Sequence, residues 1–148
     1  MIEKKEYLNL AYNQAKLALK HDEVPVGAII VKDGIVIAKA YNKKETKNDV
    51  TAHAEIEAIR KASKVLNTWH LDGCDMYVTL EPCAMCASAI LQSRIANVFY
   101  GAVDLKGGAI ESTMKMYEIK GFNHYPNSFY LKSNKCSKIL SSYFKNKR

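Results

Sequence analysis

Leu8, Ala11, Ala15, Ala18 and Leu19 recur at the three-to-four-residue spacing of one helix face, with lysines opposite, and predict an amphipathic helix over residues 3–20. The period then shortens. The stretch "VGAIIVKDGIVIAKAYN" holds two β-branched runs around Asp33-Gly34, a dipeptide suited to a tight hairpin turn because both central residues take positive φ. A polar loop, "KKETKND", leads to a helix predicted from about Ala52 to Val65, with Thr51 as its N-cap. "CDMYVTL" at 74–80 reads as a buried strand. Pro82 opens a second helix, "CAMCASAILQS", since proline is favoured at helix starts. "NVFYGA" at 97–102 is the next strand. Beyond Gly101 the pattern weakens: a loop containing Gly107-Gly108, a short helical segment and an ambiguous "YPNSFYL" precede a basic amphipathic helix, "SNKCSKILSSYFKNKR". Strands and helices alternating in this order imply an α/β sandwich, a sheet covered by helices.

Nothing along the 148 residues reads as a linker, repeat or low-complexity tract, so residues 1–148 are expected to form one domain. The composition, 48% hydrophobic and 25% charged, is that of a folded chain. The N-terminal "MIEKKEYLNL" lacks the apolar core of a signal peptide, and the longest apolar runs are strand-length. A cytoplasmic protein without membrane spans is expected. The formal charge of +7 favours an anionic partner, nucleic acid foremost, although a surplus of this size also serves solubility.

Four cysteines, two of them spaced Cys-x-x-Cys, suit a metal site better than a disulfide scaffold. Cys83 and Cys86 stand at a helix start, where thiolates are electrostatically favoured. His53 and Glu55 stand at the start of the preceding helix and can lean past its rim toward a shared point. If the two helix starts converge, His53, Cys83 and Cys86 supply three zinc ligands. A fourth position left open is the mark of a catalytic site, where bound water reaches a pKa near ~7. Glu55 is then placed as general acid and base. The competing reading is a closed zinc knuckle that recruits Cys74, His70, Cys136 or His124 as its fourth ligand, but it leaves Glu55 and Pro82 unexplained. His-x-Glu followed about thirty residues on by Pro-Cys-x-x-Cys is the known signature of zinc deaminases.

With "EVPVGAII" at 23–30, Asn42, "TAHAE" at 51–55, "MYVTLEPCAMC" at 76–86, "SRI" at 93–95, "YGAVDLKGG" at 100–108 and "FNH" at 122–124, the chain resembles the bacterial tRNA-specific adenosine deaminases over almost its whole length. These belong to the zinc-dependent, cytidine deaminase-like enzymes. The resemblance implies a three-layer α/β/α sandwich with a mixed five-stranded sheet. It also implies hydrolytic conversion of the wobble adenosine of a tRNA anticodon loop to inosine, by water activated on one zinc per subunit, in a homodimer. By the same resemblance His53, Cys83 and Cys86 hold the metal and Glu55 shuttles protons. Asn42 would hydrogen-bond the flipped base, Ala54 would line its pocket, and Lys44, Asp104, Lys106, Asn123 and Phe144 would line the anticodon-loop path. The chain departs from the family pattern at Val50, His70, Glu111 and the 125–135 segment, with Glu111 adding negative charge where RNA would pass.

Read without the resemblance, Asn42 is a strand-end turn residue, and Asp104, Lys106 and Gly107-Gly108 form an ordinary surface loop. Phe144 either stacks a base beside Lys145, Lys147 and Arg148 or completes the helix's core face. Tyr143 and Phe144 cannot both point inward. Cys74 and Cys136 read as small buried hydrophobes. Two other functions compete: a free-base or nucleotide deaminase, acting on guanine or cytosine with the same scaffold, and a zinc module that binds RNA without catalysis.

Overall fold

The computed structural model describes residues 3–147. Its five strands form one mixed sheet in the order β2-β1-β3-β4-β5. The strands are β1 (Gly27–Lys32), β2 (Ile35–Tyr41), β3 (Cys74–Val78), β4 (Asn97–Tyr100) and β5 (Asn127–Tyr130), and the helices are α1 (Lys4–Lys20), α2 (Ala54–Leu66), α3 (Ala84–Gln92) and α4 (Asn134–Asn146). The hairpin β1–β2 turns on Asp33 and Gly34, at φ +50° and +77°, as that dipeptide predicts. β1 also pairs antiparallel with β3, while β3, β4 and β5 run parallel. Parallel neighbours need crossovers, and α3 supplies the one between β3 and β4.

Two cores cover the two faces of the sheet. Ala54, Ala58 and Ala62 of α2, with Ile90 of α3, pack on Ala28, Ile30, Met76 and Val98. On the opposite face Tyr7, Leu8 and Ala11 of α1 and Cys136 of α4 pack on Ile29, Tyr77 and Phe99. Alternation along the strands assigns each residue to its face. The three-layer α/β/α sandwich expected from the sequence is therefore present. The second face carries an aromatic ladder: Tyr7 against Tyr77 at 5.1 Å, Tyr77 against Phe99 at 4.5 Å and Phe99 against Phe129 at 5.0 Å between centroids. α1 lies unusually close to β1, since a Cβ at Gly27 would run into the backbone of Ala11 and Ala15.

Two expectations need correction, and one ambiguous segment resolves. α2 starts at Ala54 with His53 in the N-cap position, and the Thr51 side chain donates to Asp49 at 2.7 Å instead of capping the helix. The Asp49 carboxylate also takes the Thr51 N–H, which closes a turn before the helix can begin. Pro82 lies outside α3, because Cys83 is its N-cap. "YPNSFYL" resolves into β5, which the buried Pro126 precedes without interrupting. Arg148, read above as part of the basic tail, lies outside the described residues.

Candidate active site

α2 and α3 start side by side at the end of the sheet where β3 finishes and β1 begins. His53 and Cys83 occupy the two N-caps, both with extended backbone, at φ −69° and −73°. Neither side chain caps its own helix, so both are free to reach outward. Cys86, in the first turn of α3, is fully buried beneath them. His53 Nδ1 lies 3.7 Å from Cys83 Sγ and 3.5 Å from Cys86 Sγ. Tetrahedral zinc, with Zn–S near 2.3 Å and Zn–N near 2.0–2.1 Å, sets its N and S donors about 3.5–3.6 Å apart. The two N–S separations thus match the edges of a zinc tetrahedron, and all three donor atoms lie within 4.8 Å of one another. Among the described residues no other His, Cys, Asp or Glu joins the group. The closed knuckle is excluded on several counts: Cys74 and Cys136 are buried in the cores, and His124 Nε2 is taken by the Ile95 carbonyl at 2.8 Å. His70 stacks on Trp69 at 3.8 Å.

The site is electrostatically tense. Cys83 is drawn down to about 4, first by a hydrogen bond from the Cys86 thiol and then by His53, while Cys86 is pushed up as the donor of that bond and by burial. His53 is raised, first by its hydrogen bond to Cys83. A divalent cation resolves this arrangement by replacing the shared protons. Glu55 sits one residue into α2 and is 4% exposed. Burial pushes its carboxyl up to about 7, and a bound cation would pull it back down.

These groups open into a pocket of about 180 Å³ lined by Asn42, Lys44, His53, Ala54, Glu55, Cys83 and Asp104, together with Val24, Val26, Leu80 and Glu81. Such a volume is below the about 300–1,000 Å³ of drug-sized sites. It suits one planar base, with any sugar and phosphate outside. Asn42 is nearly buried; its amide donates to the Val24 carbonyl at 3.2 Å and its oxygen accepts the Lys44 N–H at 3.1 Å. Lys106 lies outside the pocket on the exposed loop beyond Asp104, whose carboxylate accepts the N–H groups of Lys106 and Gly107, each at 3.1 Å. Asn123 lines a separate depression with Trp69 and Phe122. Phe144, 49% exposed on α4, sits edge-on to Tyr143. Tyr143 is the more buried of the two.

Sequence reasoning missed two residues that shape this mouth. Glu81, 2% exposed, receives the N–H groups of Asp104 at 3.0 Å, Ile110 at 3.1 Å, Glu111 at 2.8 Å and Ser112 at 3.0 Å, plus the Ser112 hydroxyl. A Cβ at Gly108 would overlap its carboxyl group. Glu23, fully buried, receives the N–H groups of Glu45 at 3.0 Å and Thr46 at 2.6 Å. Each loop flanking the pocket is therefore wrapped around one buried carboxylate. The signal was available: an unpaired acid inside "EVPVGA" and another inside "VTLEPC", each in an apolar setting that an acid enters only with partners. Glu111, expected to project toward RNA, accepts the Tyr100 hydroxyl.

The family model for MafB19-like deaminases matches residues 2–148. A tRNA-specific adenosine deaminase of Agrobacterium fabrum is 45% identical over 100% of this chain and 98% of its own length. One from Aquifex aeolicus is 45% identical over 98% and 96%. A solved structure from work on A-to-I editing by tRNA:A34 deaminases at the wobble position superposes with a TM-score of 0.89 at 45% identity, covering 93% of this chain and 100% of that one. Guanine deaminase from Bacillus subtilis superposes at 0.66, with 36% identity over 81% and 87%. The chain belongs to the MafB19-like deaminase family, with tRNA-specific adenosine deaminases among its full-length relatives.

Proposed function

We propose that this protein hydrolytically deaminates the wobble adenosine of a tRNA anticodon loop to inosine. The observation that carries this reading is the convergence of His53 Nδ1, Cys83 Sγ and Cys86 Sγ on one point beside a buried Glu55, in a chain whose full-length relatives are tRNA-specific adenosine deaminases. His53, Cys83 and Cys86 would hold one zinc ion, which supplies Lewis-acid activation of water at neutral pH. Glu55 takes a proton from the attacking water and delivers it to purine N1 as oxygen bonds to C6. It then takes the proton of the new C6 hydroxyl and passes it to the departing amine; the C–N bond breaks, the C6 carbonyl of inosine forms and ammonia leaves. Asn42, Ala54, Lys44 and Asp104 bound the base, whose exit from its stack is less costly in a loop than in a duplex. Lys106, Asn123 and Phe144, outside the pocket, would meet flanking nucleotides.

Residues 1–148 act as one deaminase domain in this reading, since every strand joins one sheet. The protein works in the cytoplasm as a homodimer. Exposed Trp69 and Phe122, around one depression beside the end of α3, support a self-association surface; sedimentation at twice the chain mass tests it. No helix among the described residues is long and apolar enough to cross a membrane.

The discriminating assay offers the purified protein a tRNA with a wobble adenosine, free guanine and free cytosine. Inosine from tRNA, abolished by a chelator and restored by zinc, is the expected result. Ammonia from a free base without inosine from tRNA would favour the guanine deaminase reading that the Bacillus relative keeps open. Glu55→Gln should retain zinc while turnover falls by about 10²–10⁴ or more. A variant keeping a tenth of the wild-type rate would remove Glu55 from proton transfer.

A further inference from the structure

The positive charge of this protein is not spread evenly. Residues 3–20 and 132–147, which include α1 and α4, hold nine lysines against two glutamates, a surplus equal to the +7 of the whole chain. All other residues together hold equal numbers of cations and anions. α1 and α4 lie on the same face of the sheet, opposite α2 and α3. Between them runs a groove of about 740 Å³, floored by Leu8, Leu10 and Leu131 and edged by Lys5, Lys132 and Lys135, with Glu6, Asn9 and Ser133 also at its wall.

We propose that this groove docks the phosphate backbone of the substrate's double-helical stem, a proposal that rests on the tRNA reading above. Three observations support it. Among the described residues Lys5, Lys132 and Lys135 make no ion pair, so their charge is available to an incoming anion. Lys132 holds a left-handed backbone at φ +48°, a conformation that glycine or asparagine would adopt at lower cost. It is pinned there because Leu131 and Ser133, on either side, donate to the carbonyls of Tyr100 at 2.8 Å and Gly101 at 2.7 Å. Lastly, the same backbone run leads to the active site: Ala102 accepts the Glu81 N–H at 2.8 Å, and Asp104, two residues on, lines the base pocket. Leu131 and Ser133 of the groove and Glu81 of the pocket are thus anchored to three successive carbonyls, Tyr100 to Ala102, at the end of β4. A base inserted in a pocket of about 180 Å³ leaves its polynucleotide outside, and cations lie along one way out. Lys135 is held in place by Asn9 and by the face of Tyr12, 4.8 Å away, so its charge is presented with little rotamer entropy left to lose.

The test replaces Lys5, Lys132 and Lys135 together by alanine in the full-length, zinc-loaded protein. It compares whole tRNA with a single-stranded oligonucleotide carrying only the anticodon-loop sequence. For tRNA, KM should rise at least tenfold with kcat at saturation retained, and the slope of log Kd against log salt should flatten by about 2–3, near one per lost phosphate contact. KM for the loop oligonucleotide should stay within twofold of wild type. The Lys→Arg triple should restore the tRNA KM. An unchanged tRNA KM and salt slope would overturn the proposal, and so would an equal rise in KM for both substrates. A wild-type protein making no inosine from either RNA would instead defeat the tRNA reading on which the groove depends.

Discussion

Glu81→Gln changes one oxygen to an amide nitrogen and removes one negative charge from a residue only 2% exposed. The wild-type carboxylate accepts five hydrogen bonds: Oε2 from the N–H groups of Ile110, Glu111 and Ser112, and Oε1 from Asp104 N–H and the Ser112 hydroxyl. The best rotamer of glutamine keeps its carbonyl at the Oε2 position. Three bonds then survive, but each passes from a charged to a neutral acceptor, a loss of roughly 0.5–1 kcal/mol apiece. The NH₂ group now faces Asp104 N–H. Ser112 can rotate to accept from it, but the partly buried Asp104 donor is left without its partner, at a cost of about 1–3 kcal/mol. The sum is about 2.5–6 kcal/mol, a large part of a typical folding free energy of about 5–15 kcal/mol.

At about 2–4 °C per kcal/mol for a chain of this length, Tm should fall by roughly 5–24 °C. Thermal and urea unfolding monitored by circular dichroism read the loss, and zinc content read alongside separates loop damage from metal loss. The Asp104 loop should loosen before the core does, so amide exchange at residues 104–112 should accelerate more than at β1 or β3. Ser112→Ala, which removes only the hydroxyl donor, should cost about 1 kcal/mol. A Glu81→Gln protein whose Tm lies within 2 °C of wild type, with an unchanged urea slope, would refute the reasoning, since water would then replace the carboxylate freely.

Gly27→Ala pushes a Cβ into the backbone of Ala11 and Ala15; it should destabilise by about 1–3 kcal/mol or more through displacement of α1, readable as a lower urea midpoint. For Glu23, burial alone would raise the carboxyl, but hydrogen bonds from Thr46 and Glu45 outweigh it and hold the group below its ordinary value. The stability it adds is therefore complete above the unfolded value of about 4.3 and is lost as pH falls through the folded one; Glu23→Gln should flatten the acid limb of a Tm–pH curve. Phe144→Ala removes a half-exposed ring and should change stability by less than about 0.5 kcal/mol. If Phe144 meets RNA, KM for tRNA should rise all the same, and an unchanged KM would assign it to the helix surface alone.

The grouping of His53, Cys83 and Cys86 beside Glu55 was legible because two helix starts, each announced by its sequence, carry one pair apiece. The hairpin was legible because Asp33-Gly34 dictates its own turn. The helix starts themselves were misplaced by one or two residues, and for a shared reason. His53 and Cys83 are N-caps whose side chains accept no capping bond, since both point into the site, so the usual Ser, Thr or proline signals pointed to neighbours. β5 was obscured because all four of its residues are exposed and it shows no buried alternation; it is defined by pairing with β4. The loops were opaque because their order depends on Glu23 and Glu81, dozens of residues away in the chain.

That long-range dependence bears on substrate choice. A guanine deaminase at 36% identity shares this scaffold, so the scaffold by itself does not decide between a free base and an RNA. The decision must fall outside the proton-transfer chemistry, where this chain holds its two mouth loops rigidly and carries its charge on α1 and α4. Rigid loops around a pocket of about 180 Å³ favour a substrate already splayed out, because the cost of distortion is then borne by the RNA loop rather than by the protein. The Tyr100–Glu111 bond belongs to the same device. It turns an acid that would repel a polyanion back onto the end of β4, so the loop keeps its shape without projecting that charge along the RNA path. Tyr100→Phe should release Glu111, raise KM for tRNA several-fold at low salt, and lose that effect as salt screens the freed carboxylate. A KM change that persists undiminished at high salt would mean the tyrosine acts through packing, as its stacking on Tyr130 at 5.6 Å would allow.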